Sequence, residues 1–180
     1  CRIDRDLSMR CNVNPDLGRE ITTIGAKTPA NPKSIMVVGA GPAGVEFAVR
    51  AKARGHKIQL FEASSKVGGQ LNLAQVPEFK REVNKLIRWY ETMLKKNGVD
   101  IKFNQTVTKE LVDKINPDAV VVATGGKPSV PFDHPEGGQF VTYEDVLLGK
   151  VNPQGSAVVI GGGSTGAELA AHLARQGVKV

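Results

Sequence analysis

The 180-residue chain has 41% hydrophobic residues and a formal net charge of +6, values typical of a globular protein large enough to bury a core. Its basic residues form no cluster with interleaved aromatic side chains, which argues against a nucleic-acid surface and favours solvated lysines, some of them near anionic phosphates. No apolar run approaches the length of a membrane span, and the segment that begins at Cys1 carries no signal-peptide pattern. We therefore expect a cytoplasmic protein that binds neither nucleic acid nor membrane.

Residues 1–33 are predicted to form an irregular arm, because proline and glycine recur too often for a regular element. The arm holds both cysteines of the chain, Cys1 and Cys11. Two thiolates cannot complete a four-thiolate iron–sulfur site, so the pair could be cluster ligands, a disulfide or free thiols. The residues alone favour a structural role.

Residues 34–150 are predicted to form a dinucleotide-binding domain that opens with a strand–helix–strand unit. Ser34–Val38 has the apolar run of a buried parallel strand. Residues 42–54 are predicted to form the helix that follows it, and Lys57–Phe61 a second strand. The first strand and the helix are joined by a glycine-rich fingerprint, Gly39-Ala40-Gly41-Pro42-Ala43-Gly44.

The three glycines of this fingerprint have separate tasks. Gly39 permits a tight turn, Gly41 lets the backbone approach a pyrophosphate, and Gly44 allows helix and strand to pack closely. Glu62 follows about twenty residues later, where a carboxylate accepts hydrogen bonds from a ribose diol and favours an adenosine without a 2′-phosphate. The alternative is a glycine turn that only packs, and the agreement of strand, glycines, helix and acid argues against it.

Further elements of a parallel sheet follow in the same domain. Thr142 is expected to cap the last of its helices, with Asp145 at the capping-box position. In chain order, the predicted elements are an amphipathic helix over residues 78–96, short strands over 99–103 and 106–107, a buried strand over 119–123, a Pro/Gly-rich crossing over 125–138 and a helix over 142–148.

Two loops of this domain are further candidates for cofactor contact. Gly68-Gly69-Gln70-Leu71 can lie against the phosphates or sugar of a cofactor, although a plain turn would be favoured for this motif alone. Ala123-Thr124-Gly125-Gly126 ends a buried strand, at the edge where a doubly wound sheet binds its ligand. Small residues there leave room for a cofactor, and the alternative is a simple strand exit.

Residues 151–180 repeat the pattern of the first unit. A predicted strand over 157–160 leads into Gly161-Gly162-Gly163-Ser164-Thr165-Gly166, and a helix over 164–176 follows. Residues 178–180 are predicted to begin the next strand. The position beyond it, which would distinguish NAD from NADP, is not included. We expect the start of an incomplete NAD(P)-binding domain, in a chain that is a fragment, with a purely packing role of the glycines as the alternative. Two fingerprints indicate two dinucleotides that exchange electrons.

Together these motifs resemble those of the NADH:flavin oxidoreductases related to 2,4-dienoyl-CoA reductase and trimethylamine dehydrogenase. The resemblance covers nearly the whole chain, and its most specific parts are the segment from Cys11 to Glu20 and the Gly-Gly-Gln motif at residues 68–70. It implies an α/β, Rossmann-like fold with a parallel sheet. It also implies an upstream FMN-bearing (β/α)8 barrel in the same polypeptide, a 4Fe-4S cluster, and an FAD-binding domain into which an NAD(P)-binding domain is inserted.

The resemblance also implies roles for individual residues. Cys1 and Cys11 would ligate the cluster, and no catalytic residue of the substrate step is assigned. Gly161, Gly163 and Gly166 would face the NAD(P) pyrophosphate. The residues that would line FAD are Gly39, Ala40, Gly41, Pro42, Ala43, Gly44, Glu62, Ala63, Gly69, Gln70, Val107, Ala123, Thr124 and Gly125.

We interpret the chain as part of a flavin-dependent oxidoreductase, inactive as an isolated piece. NAD(P)H would pass a hydride to FAD, and electrons would continue through the cluster to the FMN barrel. Two alternatives stay open: a non-catalytic module that binds ADP or FAD, and another two-dinucleotide flavoprotein of the thioredoxin-reductase or glutamate-synthase-small-subunit type. The Gly-Gly-Gln-Leu motif and the segment after Cys11 argue against the glutamate-synthase type.

Overall fold

The computed structural model describes residues 11, 13–23, 28–129 and 140–180. Within these ranges one parallel sheet is formed, with the strand order β3-β2-β1-β4. Its strands are β1 (Ser34–Val38), β2 (Lys57–Phe61), β3 (Asp100–Lys102) and β4 (Ala119–Val122). The chain builds outward from β1 to β3 and then returns to the other side of β1, which is the doubly wound arrangement. The predicted α/β, Rossmann-like fold is confirmed.

Seven α-helices are present among the described residues, together with a 3₁₀ turn over Glu78–Lys80. The helices are α1 (Glu20–Thr23), α2 (Pro42–Ala53), α3 (Leu71–Ala74), α4 (Val83–Lys96), α5 (Lys109–Ile115), α6 (Tyr143–Leu147) and α7 (Ser164–Arg175). None of these helices is both long enough and apolar enough to span a membrane.

The main core lies between one face of the sheet and helices α2 and α4. Val37 of β1 is paired with Leu60 of β2, so the two side chains point to the same face of the sheet, and both are fully buried. The same core includes Ile35, Val45, Ala48, Ile58, Tyr90 and Leu94. This packing fixes α2 on the sheet and therefore fixes where its first turn lies.

The amphipathic helix predicted over residues 78–96 begins later than expected, at Val83. Pro77 has an extended backbone, and Glu78–Lys80 form a 3₁₀ turn in which the Lys80 N–H donates to the Pro77 carbonyl at 2.8 Å. Phe79 fits the apolar spacing of the helix, but it is 41% exposed and is not part of the core.

Three predicted strands do not form. Residues 106–107 have no strand structure. Residues 157–160 and 178–180 form no strand either, and a single isolated bridge, between Ser156 and Lys179, joins these two segments. Val158 is 90% exposed and Ile160 is 66% exposed, because no element of the described chain covers them. A strand depends on a neighbouring strand for its hydrogen bonds, and an apolar run alone does not supply one.

The cap predicted for the helix near residue 142 is confirmed at α6. The Thr142 hydroxyl oxygen accepts from the Asp145 N–H at 3.3 Å and donates to the Asp145 carboxylate at 2.7 Å. The sequence patterns do not predict the short helices α1, α3 and α5.

The core should respond sharply to loss of volume at β2. We expect Leu60→Ala to lower the free energy of unfolding by about 2–5 kcal/mol, because Leu60 is 0% exposed and its removal leaves a cavity. Ile21→Ala is the matched control, since Ile21 is 96% exposed, and should stay within about 0.5 kcal/mol of the parent. Urea denaturation measures both, and equal losses for the two variants would contradict this account of the core.

Candidate functional site

The first glycine loop is a point where backbone packs directly on backbone. Gly39 has φ +103°, and a Cβ there would lie 2.4 Å from the Ala123 carbonyl oxygen. A Cβ on Gly44 would lie 1.9 Å from the Gly39 carbonyl oxygen and 3.3 Å from the Ala123 side chain. These two glycines, with Ala123, therefore allow β1, α2 and the end of β4 to meet.

Gly41 has a different environment from its two neighbours. It is the N-cap of α2 with φ −73° and ψ 179°, an extended conformation open to any residue. Among the described residues, the one heavy atom within 4 Å of a Cβ placed there is the Gly69 Cα, at 3.9 Å. A Cβ at this position would occupy the space in front of the helix and make only an ordinary van der Waals contact.

The first turn of α2 offers an anion site. The first N–H groups of any α-helix lack intrahelical acceptors, and no side chain caps α2. Pro42 occupies the first turn, which contains no acidic residue. The helix dipole and the uncapped N–H groups both favour an anion there, so a pyrophosphate fits this end of the helix.

Glu62 lies beside the same loop, directly after β2. Its carboxylate accepts from the Ala40 N–H at 2.7 Å and from the Ser64 N–H at 2.8 Å. Partial burial raises the pKa of Glu62, but the N–H groups of Ala40 and Ser64 and the Ser64 hydroxyl outweigh it and hold the pKa below its ordinary value. The ionised carboxylate keeps lone pairs for the hydroxyls of a ribose.

The Gly-Gly-Gln loop packs on the glycine loop. The Gly68 N–H donates to the Ala40 carbonyl at 2.9 Å. Gly69 has φ +51°, and a Cβ there would lie 3.0 Å from the Gly41 Cα. The Gln70 amide donates to the Gly126 carbonyl at 3.1 Å, which ties this loop to the one after β4.

The structure thus brings together most of the residues predicted around the first fingerprint. Thr124 and Gly125 are exposed beyond Ala123, whose N–H pairs with Val38 at 2.8 Å. Ala63 is exposed next to Glu62. Val107 is half-buried and lies two residues after Gln105, whose N–H donates to the Glu62 carbonyl at 3.0 Å.

The second glycine loop reproduces the backbone of the first. Gly161 has φ +111°, and a Cβ on Gly166 would lie 1.9 Å from the Gly161 carbonyl oxygen. Gly163 is the N-cap of α7 with φ −73° and ψ −179°, again without a side-chain cap. A hollow of about 1150 Å³ adjoins this loop, and its lining also includes the apolar Val146 and Leu173, which belong to a small hydrophobic cluster.

Two contacts join the segment before α4 to the helix of the second loop. The Lys80 ammonium pairs with the Glu168 carboxylate at 2.7 Å, and the Arg175 guanidinium lies 4.8 Å from the centre of the Phe79 ring. Sequence patterns gave no sign of either contact, because 88 residues separate Lys80 from Glu168. The two glycine loops therefore belong to units in direct contact.

The described part of the arm holds one of the two cysteines. Cys11 is exposed, and N–H groups of Asn14 and Val13 lower the pKa of its thiol, which favours the thiolate form that binds iron. Cys1 lies outside the described residues. Within the described ranges, no group of three or more His, Cys, Asp or Glu side chains is placed to hold a metal ion.

The packing glycine of the first loop should be intolerant of a methyl group. We expect Gly44→Ala to lower the free energy of unfolding by about 1–3 kcal/mol or more, because its Cβ would overlap the Gly39 carbonyl. Gly126→Ala is the matched control, since a Cβ there meets no atom within 4 Å. Thermal unfolding of both variants measures the difference, and a parent-like Gly44→Ala would contradict the close packing.

Glu62 should make stability depend on pH. Because its folded-state pKa is depressed, its ionised form stabilises the fold fully above the ordinary value of 4.5, and this contribution is lost as the pH falls through the folded pKa. Glu62→Gln should therefore be less stable at neutral pH and lose less stability on acidification than the parent. Denaturation curves at a series of pH values test this, and parallel pH profiles would contradict it.

Comparison with known proteins places this geometry in a family. A family model described as pyridine nucleotide-disulphide oxidoreductase matches residues 33–180. The NADH oxidase of Thermoanaerobacter brockii is 37% identical over 99% of this chain and 28% of its own length. The cinnamate reductase of Clostridium sporogenes is 38% identical over 99% of this chain and 27% of its own length.

A solved structure agrees with these relatives. That of 2-naphthoyl-CoA reductase in complex with 2-naphthoyl-CoA matches with a TM-score of 0.90 and 35% identity, over 98% of this chain and 27% of that one. The chain thus spans 27–28% of the length of these relatives. The resemblance to the NADH:flavin oxidoreductases is confirmed, and the chain belongs to the pyridine nucleotide-disulphide oxidoreductase family.

Proposed function

We propose that the chain is the FAD-binding part, with the beginning of the NAD(P)-binding part, of an enzyme that takes a hydride from NAD(P)H onto FAD. The family implies both cofactors. Residues 34–150 would form the FAD-binding domain, residues 151–180 the start of the NAD(P)-binding domain, and residues 1–33 an arm before them. The observation that carries the proposal is the repeated glycine loop, which presents two uncapped helix ends with the same backbone conformation.

Each part of the first loop has a task toward FAD. The N–H groups at the start of α2 would bind the pyrophosphate, and the missing side chain of Gly41 leaves space for it. Glu62 would accept hydrogen bonds from the ribose hydroxyls while it holds the Ala40 N–H. Gln70 would keep the neighbouring loops in place around the cofactor. When bound, FAD supplies the hydride acceptor, and the protein supplies position and charge.

The electrons would leave this part of the protein through an iron–sulfur cluster. We propose a 4Fe-4S cluster ligated by Cys1 and Cys11 together with cysteines outside this chain, and an FMN-bearing barrel upstream in the same polypeptide. The relatives are three to four times as long as this chain, which leaves room for such a barrel. Two relatives are named for the reduction of cinnamate and of 2-naphthoyl-CoA, so an unsaturated substrate is the class we propose.

The test separates FAD binding from folding. We expect Gly41→Ala to keep the fold of the apoprotein, because a Cβ there meets only the Gly69 Cα at 3.9 Å, and to weaken FAD binding by tenfold or more, about 1.4 kcal/mol. Ile21→Ala, which changes a side chain that is 96% exposed and outside this loop, should keep both properties. Titration with FAD, followed by gel filtration and visible absorbance, measures the affinity.

The same protein then tests the reaction. In the full-length enzyme, NADH or NADPH should bleach the flavin absorbance under anaerobic conditions. If Gly41→Ala binds FAD as tightly as the parent, the assignment of this loop is wrong. Retained binding of ADP with no flavin reduction by either nucleotide would favour the non-catalytic module instead.

A further inference from the structure

The Asn72 side chain holds the Gly68-Gly69 turn of the Gly-Gly-Gln loop. Its amide nitrogen Nδ2 donates to the Val67 carbonyl at 2.9 Å and to the Gly69 carbonyl at 3.2 Å. Both neighbours of this nitrogen are carbonyl oxygens, which accept and cannot donate, so the amide uses both of its N–H bonds here. Asn72 therefore binds the backbone before and after Gly68.

The missing side chain of Gly68 makes room for this amide. A Cβ on Gly68 would lie 2.8 Å from the Asn72 Nδ2 and 3.3 Å from the Ile87 side chain of α4. Gly68 has φ +118° and Gly69 has φ +51°, so two successive residues adopt backbone conformations that favour glycine. Two glycines also reach many other conformations, so their own preferences do not fix the shape of the turn. The bonds from Asn72 select one shape.

The same bonds decide the orientation of the peptide units in the turn. Asn72 binds the first and the third carbonyl of the turn, and the Leu71 N–H donates to the second, that of Gly68, at 3.0 Å. In a planar trans peptide the C=O and N–H groups point in opposite directions. The N–H groups of these three units, which belong to Gly68, Gly69 and Gln70, therefore point away from the bound carbonyls.

These N–H groups lie beside the first glycine loop. The Gly68 N–H donates to the Ala40 carbonyl at 2.9 Å. The N–H groups of Gly69 and Gln70 donate to no acceptor among the residues that the structure describes. Gly69 itself is next to the N-cap of α2, since a Cβ on Gly41 would lie 3.9 Å from the Gly69 Cα. Donors that no described residue satisfies thus lie against the loop that would bind the pyrophosphate.

We propose that Asn72 is a positioning residue for FAD, which holds the carbonyls of the Gly68-Gly69 turn on its own side and leaves the opposite N–H groups for the pyrophosphate. This inference rests on the proposed function of the first glycine loop. Backbone N–H groups attract an anion, whereas a carbonyl oxygen repels it, so a peptide unit that flips in this turn weakens binding. Asn72 acts through the backbone of the turn and needs no contact with the cofactor.

The experiment uses the full-length enzyme, freed of FAD, with Asn72→Leu, which keeps the approximate size of the side chain and removes both donors. We expect this variant to bind FAD about tenfold more weakly than the parent, because the turn is no longer held in one conformation. Asn97→Leu is the matched control. The Asn97 amide also donates to a backbone carbonyl, that of Met93 at 2.8 Å, but at the far end of α4, so this variant should keep the parent affinity. Titration with FAD, followed by flavin fluorescence, measures all three proteins.

A pH profile distinguishes positioning from a purely structural role. In Asn72→Asp an ionised carboxylate would face two carbonyl oxygens and donate to neither, whereas the protonated carboxyl donates one hydrogen bond. The FAD affinity of this variant, divided by that of the parent at the same pH, should therefore rise as the pH is lowered from about 8 to about 5. A residue that only supports the fold would lower the Tm and leave the affinity of the folded variant unchanged.

The outcomes separate this role from the proposed function. Parent-like FAD affinity in Asn72→Leu, or a loss equal to that of Asn97→Leu, would overturn the positioning role. If Asn72→Leu does not fold, Asn72→Asp takes its place, and an affinity ratio that stays flat with pH would overturn the role as well. A parent enzyme that binds no FAD would refute the proposed function instead. The ADP affinities of the parent and the variant would then decide whether Asn72 positions the turn for a diphosphate.

Discussion

The contact between the backbones of Gly39, Gly44 and Ala123 is the constraint on which the site depends. It lets β1 pass into α2 with no side chain between them, while the end of β4 closes on the same point. β1 and β4 are neighbours at the place where the strand order reverses, and a doubly wound sheet binds its ligand beyond the carboxyl ends of such strands. These glycines are needed for close packing, and the open N-terminus of α2 is a consequence of that packing.

Charge is distributed around the first glycine loop in two parts. The uncapped start of α2 attracts an anion, whereas Glu62 places a negative group at the side of the loop, where two N–H donors hold it. Acceptor and donor surfaces therefore lie side by side, as the phosphate and sugar of a nucleotide require. The Gly68 N–H donates to the Ala40 carbonyl and the Gln70 amide donates to the Gly126 carbonyl, so neighbouring loops also stabilise this geometry.

Local signals predicted the elements that depend on local chemistry. The bounds of β1 and β2 agree with the sequence prediction, because apolar runs and fingerprint glycines lie within a few residues of each other. The amphipathic spacing predicted too early a start for α4. Phe79 fits this spacing, but it lies in the 3₁₀ turn that follows Pro77. Residues 157–160 have the composition of a strand, yet pairing is set by neighbours that a local pattern does not contain.

The contacts that join distant segments were beyond sequence reasoning for the same reason. No sequence pattern near Lys80 indicates that it pairs with Glu168, 88 residues away, and none near Arg50 indicates its pairing with Asp16, 34 residues away. The arm around Cys11 showed only irregular composition. Only the fold brings such residues together, because packing of α2 and α4 on the sheet decides which side chains meet.

The duplicated loop has a consequence for chemical selectivity. A small molecule that mimics only a diphosphate would encounter the same arrangement of N–H groups at Gly41 and at Gly163, and could not tell the two apart. An inhibitor meant for the first loop must reach past it to the groups placed beside that loop, such as the Glu62 carboxylate or the Gln70 amide. Drug design against this fold would therefore start from the sugar and base rather than from the phosphates.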